Sequence, residues 1–70
     1  MTGSLEIQVN GEPRALSPGT RLTDFIGHLG FDARTLLIEF NGEPLPRERW
    51  ASTTLRGGDR LELFRVSAGG

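Results

Sequence analysis

Residues 5–9, Leu-Glu-Ile-Gln-Val, alternate apolar and polar side chains, the period-two signature of a half-buried strand. The same alternation returns at 36–40, where Leu36, Ile38 and Phe40 share a face, and in the run from Arg60 to Val66. Between the first two runs the period changes. Leu22, Phe25, Ile26 and Leu29 fall at i, i+3, i+4 and i+7, which predicts a helix of about two turns with one apolar stripe. So short a helix needs packing on a sheet, because its intrinsic propensity does not hold it in water.

Turn chemistry connects these elements. Asn10-Gly11 and Asn41-Gly42 each follow a strand, and Asn-Gly favours the two-residue hairpin whose central positions both need positive φ. The first return strand, about Glu12 to Leu16, contains Pro13, so it is expected at a sheet edge. The second, Glu43 to Leu45, is kept brief by Pro44 and Pro46. Ser17-Pro18-Gly19-Thr20 is a turn leading into the helix, with Thr20 or Thr23 as its cap and Gly30 placed to end it. Arg47 to Ala51 is expected to form a single turn laying Trp50 over the sheet, and Gly57-Gly58-Asp59 a tight turn. The order is therefore β-β-α-β-β-β. An apolar last strand set centrally, parallel to the first, gives a two-layer α+β domain.

Seventy residues make one small domain with a single core. The chain has no cysteine, which excludes disulfides, thiolate metal sites and a cysteine nucleophile. Its eight basic residues are all arginine, against nine carboxylates, for a net charge of −1. With no lysine, the protein cannot build lysine-linked chains of itself. The even spread of charge is unlike a nucleic-acid footprint, no apolar run is long enough to cross a bilayer, and the N-terminus lacks the pattern of a signal peptide. A cytoplasmic protein, monomeric when free, is the expectation. His28, the single histidine, makes neither a metal site nor a triad alone. No nucleophile–base pair, phosphate-cradling motif or metal cluster marks an enzyme.

The candidate chemistry lies at the other end. Gly69-Gly70 follow the last predicted strand and, read as a bare terminus, place an α-carboxylate on a thin, flexible stalk. Glycine has no Cβ and lets backbone approach a partner closely. Ser67 to Gly70 extend at most about 13–14 Å, a length suited to threading a narrow tunnel. The division read here is a domain over 1–66 and a diglycine tail over 67–70. Ala68 and Gly69 are the threading residues, and Gly70 carries the reactive group.

Three segments carry a family resemblance: Asn41-Gly42-Glu43-x-Leu45-Pro46-Arg47-x-x-Trp50-Ala51, Gly58-Asp59-Arg60-Leu61-Glu62-Leu63, and Ala68-Gly69-Gly70. Together with the element order, they resemble the thiamine-biosynthesis sulfur carrier proteins, the ThiS family within the β-grasp (ubiquitin-like) fold. The Pro-Arg-x-x-Trp segment is the most discriminating. Ser67 departs from the apolar position that usually precedes the family's glycines. The resemblance implies a β-grasp α+β domain, a mixed four- to five-stranded sheet packed on one short helix.

It also implies a protein co-substrate with no catalytic residue of its own. Its Gly70 carboxylate would be adenylated by an E1-like activating adenylyltransferase that uses ATP and Mg, then converted to a thiocarboxylate. A persulfide donor, a cysteine desulfurase or sulfurtransferase, would supply sulfur, and thiazole synthase would receive it. The same tail chemistry serves molybdopterin synthesis and tRNA thiolation, and a non-catalytic β-grasp interaction module is the reading from another class. Neither a stably bound cofactor nor a metal is expected. For docking, Phe64 and Val66 alternate to the sheet face away from the helix, and Arg65 is a charge that steers toward a partner or is simply solvated. Packing beneath the Arg47–Trp50 turn is the other reading of Phe64.

Overall fold

The computed structural model describes residues 3–66. Strand β1, Leu5–Val9, turns through Asn10 and Gly11, whose φ values of 52° and 84° are the left-handed pair that a tight hairpin requires. It returns as β2, Glu12–Leu16. Helix α1 spans Leu22–Leu29, a short 3-10 turn covers Ala33–Thr35, and β3 is Leu36–Phe40. A second Asn-Gly turn leads to β4, only Glu43–Pro44. A longer 3-10 segment, Arg47–Ser52, follows, and β5, Arg60–Arg65, closes the sheet.

The five strands lie in the order β2-β1-β5-β3-β4. β5 is central, parallel to β1 and antiparallel to β3. Ile7, Val9, Ile38 and Leu61 point to the helix side and are buried with Leu22, Phe25 and Ile26 of α1. Each such side chain contributes about 1.5–3 kcal/mol by leaving water, which is how so small a domain holds together.

Both edge prolines sit where they cost no ladder bond. Pro13 stands opposite Gln8, and the Gln8 N–H points the other way, donating to Asp59 O at 2.9 Å. Pro44 stands opposite Glu39, while its neighbour Leu45 donates to Ile38 O. Each proline therefore turns its missing donor outward and leaves a poor template for an added strand.

The helix start differs from expectation. Its N-cap is Arg21, without a side-chain cap bond; Thr20 Oγ1 instead donates to Ser17 O at 2.7 Å, and Thr23 lies inside the helix. The first N–H of the helix, that of Leu22, is taken by the Thr53 carbonyl at 2.8 Å. Leu55 N–H donates to Thr20 O at 2.9 Å, so residues 53–55 pair with 20–22, and the Leu55 side chain is buried. At the other end Gly30 caps the helix at φ 82° as expected. Trp50 is buried in the core, 3 % exposed, with its indole N–H donating to Leu45 O at 3.1 Å.

Candidate functional site

β5 leads to the residues of chemical interest, so its anchoring comes first. Both hairpin asparagines reach it. Asn10 Oδ1 accepts the Leu63 N–H at 2.8 Å, and Asn41 Oδ1 accepts the Arg60 N–H at 2.9 Å. Asp59 ties the turn before the strand: its carboxylate accepts the Arg56 N–H at 2.8 Å and the Asn41 side-chain amide at 3.2 Å. At the far end, Val66 N–H donates to Thr35 O at 2.8 Å. The strand is held along its whole length, from its first residue to the point where the chain continues into 67–70.

The residues singled out on β5 divide between its two faces. Leu37 stands directly across from Phe64, and both belong to the face that α1 does not cover. They are 59 % and 45 % exposed, and Val66, two residues beyond Phe64 on the same side, is 46 % exposed. Cross-strand neighbours of this kind put three apolar side chains in one patch. Phe64 does not pack away beneath the 47–52 segment. It borders an open groove of about 480 Å³ whose other walls include Pro44, Pro46, Arg47 and Trp50.

Arg65 faces the helix side, opposite Leu36, and its guanidinium carbon lies 5.5 Å from the centre of the Phe31 ring. That geometry is a cation–π contact. Phe64 and Val66 thus share a surface that Arg65 does not. Leu37, which sequence alone did not single out, completes the patch. The missed signal was its phase: within Leu36-Leu37-Ile38 it is the apolar residue out of step with the buried pair.

Beside the groove, Asp32 and Arg34 form an ion pair, Arg34 Nη2 to Asp32 Oδ2 at 3.1 Å. Hydrogen bonds from the Arg34 side chain and backbone hold the Asp32 carboxyl below its usual range. Among the described residues no cluster of histidine and carboxylate side chains is arranged to hold a metal ion. No described helix is long and apolar enough to cross a membrane. Ala68, Gly69 and Gly70 lie outside the described residues.

The model of the ThiS family matches residues 7–70. The chain belongs to the ThiS family. A crystal structure of the thiamine biosynthesis protein ThiS from Geobacter metallireducens superposes with a TM-score of 0.81 at 30 % identity, covering 94 % of this chain and all of that one. The β-grasp architecture is therefore shared, with one helix on a mixed five-stranded sheet. The sulfur carrier protein ThiS of Escherichia coli is 27 % identical over 66 residues, spanning 94 % of this chain and all of that protein. A thiazole synthase of Paramagnetospirillum magneticum is 32 % identical over 66 residues, which make up 94 % of this chain. The chain spans about a fifth of the length of that synthase, 20 %.

Proposed function

We propose that this ThiS-family protein is a sulfur carrier for thiazole formation, with the Gly70 carboxylate as its working group. The observation that carries this reading is the reach of the family match, which continues through Gly69 and Gly70 to residue 70. An α-carboxyl group titrates at about 3.5, so at neutral pH it is an anion ready to attack a phosphorus centre. Attack on the α-phosphate of ATP, within an activating enzyme that holds ATP and Mg, expels pyrophosphate and forms an acyl-adenylate. A persulfide sulfur then attacks the acyl carbon and AMP leaves. A second thiol cleaves the resulting acyl disulfide, forming a disulfide itself and leaving a thiocarboxylate at Gly70.

The protein supplies no catalytic side chain to these steps. Its part is to present the tail and to be recognised. The apolar patch of Leu37, Phe64 and Val66 supports a docking role, because Phe64 and Val66 lie along the chain that continues into residues 67–70, with Leu37 across from Phe64 on β3. A named thiazole synthase containing a segment similar to this chain supports that enzyme as the recipient of the sulfur. Because activation consumes ATP, the cytoplasm is the compartment this reading implies. The deciding experiment removes Gly70 and measures ATP–pyrophosphate exchange with the activating enzyme. Exchange is lost while the fold persists; undiminished exchange would overturn the carrier reading.

A further inference from the structure

Glu39 and Glu62 stand directly across from one another on β3 and β5, on the same uncovered face as Leu37 and Phe64. Their Cβ atoms are therefore about 5 Å apart, a spacing at which like charges work against the sheet. Among the described residues neither carboxylate has a cation within salt-bridge distance. The one ion pair within 4.0 Å among the described residues is Asp32–Arg34, and Arg60, two residues from Glu62 on that face, closes none with either carboxylate. A half-buried Glu39 and an exposed Glu62 thus form an unfavourable pair at the border of the apolar patch.

We infer that the activating enzyme presents a cationic side chain to this Glu39–Glu62 pair, seated beside its apolar contact on Leu37, Phe64 and Val66. The inference rests on the carrier reading and names the chemistry of the partner surface. Charge complementarity favours a cation: one guanidinium between the two carboxylates removes their repulsion and gains charge-assisted hydrogen bonds. The same pair disfavours a second copy of this chain, because a two-fold contact through this face would bring four carboxylates together. Strand addition is disfavoured as well, since Pro13 and Pro44 occupy the outward positions of the two edges. An enzyme that receives residues 67–70 meets this face at Val66, which ends it. A cation there adds specificity and association rate to what the apolar patch supplies.

The test compares Glu39→Gln, Glu62→Gln and Glu62→Arg with Glu12→Gln, which changes net charge equally on the helix side of the β1–β2 hairpin. Melting temperature and the carrier's KM in ATP–pyrophosphate exchange are measured together with the activating enzyme of the same organism. Loss of either carboxylate raises the melting temperature yet raises KM by about fivefold, and Glu62→Arg raises KM by at least about tenfold. The KM of the unaltered protein rises with salt, and that dependence is shallower in the variants. Glu12→Gln moves neither quantity.

Unchanged KM in all three variants, with normal exchange by the unaltered protein, overturns this inference and leaves the carrier reading intact. Absence of exchange with the unaltered protein overturns both. A concentration-dependent dimer that Glu62→Gln tightens would assign the face to self-association and also overturn the inference.

Discussion

Asn10 Oδ1 accepts the backbone N–H of Leu63 at 2.8 Å, a contact between residues 53 positions apart. Asn10 therefore serves twice. Its φ of 52° makes the hairpin turn, and its side chain fastens the central strand that leads to the tail. Asn10→Gly keeps the turn, because glycine accepts positive φ freely, but removes the fastening. The expected cost is about 0.5–1.5 kcal/mol of unfolding free energy, the net worth of one intramolecular hydrogen bond. Denaturant titration measures it. A variant as stable as the original would show that water replaces the asparagine at no cost.

Phe64 separates docking from packing. With 45 % of its surface exposed, truncation to alanine leaves the melting temperature nearly unchanged. Binding to the activating enzyme weakens by more than about 1 kcal/mol, as for an aromatic anchor at an interface. Calorimetry on the two purified proteins gives both values. A large fall in melting temperature with affinity intact would return Phe64 to a structural role.

Gly69→Ala adds one methyl group where the tail is proposed to pass between a partner's walls. Activation, read as pyrophosphate exchange, falls by at least about tenfold if that methyl costs 1.4 kcal/mol or more in the transition state. Thermal unfolding is expected to be unchanged, the core being built from side chains between Ile7 and Leu61. Full activation of the substituted protein would mean that the tail is not closely enclosed.

The pathway is tested by offering one preparation of the Gly70 thiocarboxylate to two enzymes separately. Sulfur is expected to turn over with thiazole synthase and not with the large subunit of molybdopterin synthase. Discrimination of this kind is a difference between two affinities, and Ser67 is where the chain departs from the usual family tail. Turnover with the molybdopterin enzyme alone would move the protein to another pathway without altering the chemistry at Gly70.

The order of elements, both Asn-Gly hairpins, the edge position of β2, the C-terminal cap at Gly30 and the family were legible in the sequence. Each is written in short-range signals: period two or 3.6, a turn that demands positive φ, a proline that cannot donate, or a run such as Pro46-Arg47-x-x-Trp50. The start of the helix was not legible, because the N–H of Leu22 is satisfied by Thr53 from the far side of the chain. Residues 53–55 carry no periodicity, so the burial of Leu55 and its pairing with Thr20 emerged only in three dimensions. The surface was divided in the same way. Alternation along β5 placed Phe64 and Val66 on one side, but only the strand register set Leu37 against Phe64 and Glu39 against Glu62. Arg65 lies over Phe31 for a related reason: which long-range neighbours a side chain meets depends on how the strands pair, and local pattern does not specify that.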